Sequence, residues 1–279
     1  MQHLDQQQVK RASDRAATGY ANADFFCHES RSRLLERLEF ISLEPADILD
    51  LGGGNGAGSA MLRQRYPKAR VINLDWSTAM LASDKGIRVC ADARRLPFRD
   101  NSFDLIVSNM MLASCDEPGA VFAEACRVLR VPGLFLFNTL GPDTLIELRR
   151  VWSEVDRFAH VHEFADMHNV GDALVQSGFR EPVMDVEKLR ITYTDIDRLF
   201  GDLRGIGATN LHPERRRGLM APGTLNAIRA AADQRRDENG KFAVSAEIVT
   251  GQAWTAETTG VAMEDGIAHF PLNQLRRRD

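Results

Sequence analysis

Between Ala46 and Thr139, five short apolar runs alternate with stretches of helical character, and few folds accept that order. The runs "ADILDL", "RVINLD", "IRVCAD", "SFDLIVSN" and "GLFLFNT" read as strands. Ser59–Tyr66, Ala79–Asp84 and the amphipathic Pro118–Leu129 read as the helices between them. Such strands are apolar on both faces and joined by helical crossovers, so both faces of their sheet must be covered. The expectation is an α/β chain built on a doubly wound parallel sheet.

The flanks differ in pattern. Gln6–Phe40 reads as largely helical, as do Asp143–Arg157, Asn169–Ser177, Thr194–Leu203 and Thr224 to about Arg235. "PVMDVEKLRITY" and "FAVSAEIVTGQAW" have strand character. The expected division is an N-terminal helical segment over 1–45, a cofactor-binding core over 46–140, and a tail over 257–279. Between them, 141–256 would supply cap helices and the strands that complete the sheet, with 140–182 and 194–235 covering the ligand edge. Net charge is -4, which argues against a nucleic-acid partner for the chain as a whole. The N-terminus has no apolar signal core and no run is long enough to span a membrane, so a cytoplasmic protein is expected. The four cysteines have no metal-like spacing, and Cys90 and Cys126 fall in apolar runs that suggest core positions. His160, His162 and His168 are irregularly spaced and read as loop residues; no metal site is expected.

In "ILDLGGGNGAGSA" a strand runs into a glycine turn, the place where open parallel sheets bind ligands. Gly52 and Gly54 let the backbone approach a ligand closely. Gly52-x-Gly54-x-x-Ala57 satisfies a dinucleotide pattern. Asp50 argues against a diphosphate, because like charges about 4 Å apart at an effective dielectric near 20 cost about 4 kcal/mol. A ligand with an ammonium group and no phosphate, such as S-adenosylmethionine, is attracted instead. Asp75, at the tip of the second strand and followed by Trp76, can accept ribose hydroxyls of either ligand. Asp92-Ala93 can read an adenine edge. Asp50, Asp75 and Asp92 also suit helix-cap or turn roles, and Asn109 suits a structural strand end.

Taken in order, Asp50–Gly56, Asp75, Asp92–Phe98 and Phe103–Val107 resemble the motifs of class I S-adenosylmethionine-dependent methyltransferases, a Rossmann-like family. The resemblance implies that Asp50, Gly52 and Gly54 hold the methionine end, Asp75 the ribose, and Asp92-Ala93 the adenine, with Trp76 a further cofactor-binding candidate. Asn109 would lie near the methyl group.

The flanks resemble a narrower group, the malonyl-acyl-carrier-protein O-methyltransferases of biotin synthesis (the BioC family). "RAATGY" with Tyr20, "FNTLGPDTLIELRRVWSEVD" and "LRGIGATNLH" carry the likeness, which runs over about residues 8 to 254. It implies transfer of a methyl group to the free carboxylate of a malonyl group on acyl-carrier protein or coenzyme A. Tyr20, Asn109 and Arg204 are then candidate substrate-side residues. Tyr20 fits either a lid or simple packing. Arg204 fits the malonyl carboxylate, the carrier phosphate or a solvated position. Arg215-Arg216-Arg217 suits carrier docking or a solvated face. Two departures stand out: Ala113-Ser114 replaces the family's Gln-Trp, and Gly53 replaces its Cys or Ala. "PDTLIELR" and "DLRGIGATN" also resemble respiratory complex I assembly factors that hydroxylate a protein arginine, which is the alternative reading.

Overall fold

A computed structural model describes residues 4–212, 215, 218, 220–256, 262–264 and 267–269. The chain opens with helices α1 (Gln6–Ala16), α2 (Tyr20–Ala23) and α3 (Phe25–Glu36). The alternating core follows as β1 (Asp47–Leu51), α4 (Ala57–Arg65), β2 (Arg70–Asp75), α5 (Thr78–Leu81) and β3 (Ile87–Cys90). It continues through β4 (Phe103–Asn109), α6 (Pro118–Val128) and β5 (Leu129–Leu140). Next come α7 (Ile146–Ser153), α8 (Met167–Gln176), β6 (Arg180–Tyr193), α9 (Ile196–Gly205), α10 (Pro222–Asp233) and β7 (Phe242–Trp254). Two short strands, β8 (Ala262–Glu264) and β9 (Ile267–His269), pair antiparallel in the segment expected as a tail, whose remainder lies outside the described residues.

The large sheet has the order β3-β2-β1-β4-β5-β7-β6, with β1 to β5 parallel and β7 antiparallel to both neighbours. The parallel, doubly wound expectation therefore holds for the core. The strand order reverses between β1 and β4, so a crevice opens beside the carboxyl end of β1, where ligands of such sheets sit.

Strand periodicity sorts the core. Leu134 and Leu136 of β5 face Leu34, Leu38, Leu62 and Leu105 on one side of the sheet. Phe135 and Phe137 face Phe122 and Phe179 on the other, with ring centroids 5.0 to 5.9 Å apart. Helix α8, expected among the cap segments, belongs to this second layer. Val170 and Leu174 bury its apolar stripe against the aromatic core beside α6. The amphipathic pattern was legible, but the surface it meets is not encoded in the stripe.

The cap is made instead by α7, α9 and α10. Leu148, Val151, Trp152, Ile196, Leu199 and Ile228 form their own apolar cluster. Residues 242–247 of β7 run beyond β5 and pair with β6 alone, and Phe242 and Val244 on this extension anchor the cluster. Cys90 is a second correction: β3 is the sheet edge, and its cysteine is exposed, while Cys126 is half-buried. Among the described residues no helix is long and apolar enough to cross a membrane.

Candidate active site

The crevice at the β1/β4 reversal opens into a cavity of about 660 Å³, closed by α1 to α3 on one side and the cap of α7, α9 and α10 on the other. Its floor is the glycine turn. Gly52 and Gly53 donate backbone hydrogen bonds to Leu74 O at 2.7 and 3.2 Å, folding the turn against β2. Gly52 has φ +72°, and a Cβ there would lie 2.4 Å from Met111 Cγ, so only glycine fits.

Gly53, the family departure, has a packing cause. A Cβ at this position would sit 2.5 Å from Asn73 Oδ1 and from the Asp50 carboxylate. The Asn73 amide donates to Gly54 O at 3.2 Å and Asp84 Oδ2 at 3.0 Å, which holds it in the space a side chain would need. Gly53→Ala is expected to cost about 1–3 kcal/mol through overpacking, read as a lower melting temperature of the ligand-free protein. An unchanged melting temperature would show that the pocket under the turn can relax.

Asp50 lines the cavity and is almost fully buried. Ser59 Oγ donates to it at 2.7 Å. Burial pushes its carboxyl up to about 6, opposed by the Ser59 hydroxyl and the Arg31 guanidinium and reinforced by Asp84 and Asp75. Three carboxylates thus converge on one turn, with Asp84 paired to Arg63 at 2.9 Å. Asp75 accepts from Gly54 N at 3.1 Å and Ser77 N at 2.8 Å, so one side chain is both strand-end acid and turn brace. Burial is the main cause of its raised pKa. Trp76 also lines the cavity and packs with Leu4, Val9 and Leu211.

Asp92 and Ala93 reach the cavity wall too. The Asp92 carboxylate is held below its usual range by Arg94, whose guanidinium sits 2.8 Å away; the Arg94 amide closes an Asx turn at 2.9 Å. Asn109 lines the cavity, but its side chain serves α3. Its Oδ1 accepts from Ser30 Oγ at 3.0 Å, and its Nδ2 donates to Cys27 O at 3.2 Å. Tyr20 lines the cavity beside Cys27, with its hydroxyl pKa raised by burial. Arg204 borders the cavity from the last turn of α9, exposed and with no ion pair among the described residues. The site residues expected from sequence thus share one cavity, although Asn109 and Asp92 are already engaged with protein partners. Of the arginine run, Arg215 donates to His212 O at 3.0 Å; Arg216 and Arg217 lie outside the described residues. His168 is exposed on α8.

Two groups in the cavity carried no recognisable signal. Arg31 of α3 is buried beside Asp50 and pairs through Nη2 with Asp24 at 2.9 Å; its Nε is buried without a partner. A Cβ on Gly58 would touch both Asp50 Oδ2 (2.9 Å) and Arg31 Cδ (3.3 Å), so glycine lets acid and guanidinium share one corner. His160 and His162, read from sequence as loop residues, also line the wall.

This corner fits a zwitterionic ligand. A carboxylate and an incompletely hydrogen-bonded guanidinium stand side by side, while three acids around the turn oppose a diphosphate. Residues 49–137 match the methyltransferase domain family. Malonyl-[acyl-carrier protein] O-methyltransferase of Gallionella capsiferriformans is 41% identical, over 90% of this chain and 91% of its own. The chain belongs to the malonyl-[acyl-carrier protein] O-methyltransferase family. The enzyme of that name from Laribacter hongkongensis is also 41% identical over 90% of each chain. Among solved structures, the YcgJ protein of Bacillus subtilis superposes with a TM-score of 0.57 over 82% of this chain and 99% of its own. At 17% identity that match speaks for the fold alone. The α/β Rossmann-like methyltransferase fold expected from the motifs is the one observed.

Proposed function

We propose that this protein transfers the methyl group of S-adenosylmethionine to the free carboxylate of a malonyl group. The malonyl thioester is carried by acyl-carrier protein or coenzyme A, and the reaction is an early cytoplasmic step of biotin synthesis. The observation that carries the reading is the buried Asp50–Arg31 corner on a capped, phosphate-averse cavity, in a chain of this family. The arginine-hydroxylase alternative is not favoured, since close relatives bear the methyltransferase name.

When bound, S-adenosylmethionine supplies an electrophilic methyl group on a sulfonium. Asp50 would meet the ammonium of its amino-acid tail and Arg31 the carboxylate. Asp75 would take the ribose hydroxyls, with Trp76, Asp92 and Ala93 along the adenosine. Residues 46–140 would hold the cofactor, while 1–45 and the cap within 141–256 enclose it. A carboxylate of pKa about 4 is already ionised near neutral pH, so the acceptor needs no strong base. Alignment and exclusion of water remain for the protein. Leu148, Trp152, Phe200 and Leu203 of the cap provide an apolar wall for this.

Arg204, being exposed at the rim, suits the phosphate of the carrier's arm better than a buried carboxylate. Arg204→Ala is expected to raise KM for malonyl-acyl-carrier protein about tenfold and leave S-adenosylhomocysteine affinity unchanged. Equal loss for both ligands would remove Arg204 from the acceptor side. The deciding assay incubates the protein with S-adenosylmethionine and malonyl-acyl-carrier protein and seeks the intact methyl ester by mass spectrometry. Cofactor binding without ester, together with failure to rescue a biotin auxotroph, would overturn the assignment.

A further inference from the structure

The cap side of the cavity holds a histidine–aspartate pair that the cofactor and carrier contacts leave unused. His160 lies flat on Trp152, with ring centroids 3.4 Å apart and planes 8° apart. Its Nε2 is 2.8 Å from Asp156 Oδ1, and the same oxygen accepts from Phe158 N at 2.9 Å. Both side chains are largely withdrawn from solvent, at 11% and 16% exposure. Asp156 accepts, so Nε2 carries a proton, and one face and one edge of the ring are fixed. Nδ1 is the edge left without a protein partner among the described residues.

The segment carrying this ring is pinned along the wall of the cavity. Asn210 Nδ2 donates to Ala159 O at 2.7 Å, and His162 Nε2 bonds Ala113 O at 3.2 Å. Ala113 lies just past the carboxyl end of β4, so residues 159–162 cross the sheet edge above the cofactor crevice. Packing against Trp152 does not explain the aspartate. The turn bond from Phe158 N accounts for an aspartate at this position, but not for a histidine seated on the same oxygen in the cavity wall.

We propose that His160 receives the carboxylate of the acceptor, with Asp156 as its positioning residue and Trp152 as its platform. The ligand class is the distal carboxylate of a short dicarboxylyl thioester, and the proposal rests on the malonyl reading above. In the complex the imidazole has taken up one proton from solvent and holds one on each nitrogen. Nε2–H donates to Asp156 and Nδ1–H to one carboxylate oxygen, and both protons stay on the ring through the transfer. A bare carboxylate would be costly among Leu148, Val161 and Phe200; a neighbouring cation removes that penalty. The second oxygen stays free to attack. It forms the new bond to the methyl carbon, and the electron pair of the breaking carbon–sulfur bond stays on sulfur. Before transfer, Asp156 and imidazolium cancel, as do carboxylate and sulfonium. Afterwards a neutral ester and a neutral thioether leave the His160–Asp156 pair still balanced.

The test uses the full-length protein saturated with S-adenosylhomocysteine, labelled with nitrogen-15 histidine and titrated with malonyl-coenzyme A or acetyl-coenzyme A. Malonyl-coenzyme A is expected to move the His160 Nδ1 resonance to its protonated position, and acetyl-coenzyme A to leave it in place. No shift at saturating malonyl-coenzyme A, or the same shift with both, overturns the proposal. In parallel, His160→Gln is expected to lower kcat/KM for malonyl-acyl-carrier protein about thirtyfold or more, and Asp156→Asn about tenfold. S-adenosylhomocysteine affinity should stay within about threefold in both, which also reports correct folding. The titration reads binding, not turnover. A malonyl-specific shift in a protein that forms no ester would sink the methyl-transfer reading and leave His160 as a carboxylate receptor.

Discussion

Replacing Arg31 by methionine together with Asp24 by asparagine is expected to weaken S-adenosylhomocysteine about a hundredfold, and methylthioadenosine less than about threefold. The two ligands share the adenosine and differ by the amino-acid tail. Arg31 is buried beside Asp50, satisfied on one Nη by Asp24 at 2.9 Å and unsatisfied at Nε. Arg31 lines the cavity, and a tail carboxylate would accept from its guanidinium in a site where a charge-assisted hydrogen bond is worth more than in water. Replacing both members of the ion pair matters, because removing the arginine alone strands a buried aspartate at a cost of about 3–5 kcal/mol. Calorimetry with each ligand reads the effect, and thermal unfolding checks the fold. Equal weakening of the two ligands would mean that Arg31 organises the turn and does not touch the tail.

The parts of this protein that could be read from its sequence are those set by nearest neighbours along the chain. β2 matches the expected "RVINLD" residue for residue, because an apolar run between Pro67 and the Ser77 cap has little freedom. The acids at the strand tips were legible because a parallel sheet delivers strand ends to one edge. Asp92 and Arg94 meet through an Asx turn two residues long, so that engagement could have been read from "DAR". Asn109 was different: its partners Ser30 and Cys27 are 79 and 82 positions away, and nothing local announces them. Arg31 sits in an arginine-rich helix whose neighbours look alike until α3 is laid across the glycine turn. His160 and Asp156 are four residues apart in a segment without helix, and their meaning depends on Trp152 lying beneath the ring. Tertiary packing, not residue type, separates a solvated loop histidine from one that lines a cavity.

The same corner predicts that the affinity for S-adenosylhomocysteine rises with pH up to about 6, by about tenfold per unit, and then levels. The sign follows from burial. Asp50 in the ligand-free fold holds its proton up to about 6, whereas the unfolded chain releases it near the ordinary value of 3.8. Its contribution to stability is therefore present in acid and lost as pH rises through 6. An ammonium needs the ionised carboxylate, so binding has the opposite trend: the tail competes with the proton, and the complex tightens as the free protein weakens. Burial also raises the carboxyl pKa of Asp75, and the ribose would engage that acid in both ligands. The slope shown by S-adenosylhomocysteine beyond that of methylthioadenosine therefore belongs to Asp50. Calorimetric titrations of both ligands over about pH 5 to 7 measure that difference, and Asp50→Asn should abolish it. If the excess slope survives in the asparagine variant, the ammonium is held by another group, and the electrostatic case for a phosphate-free cofactor loses its central residue.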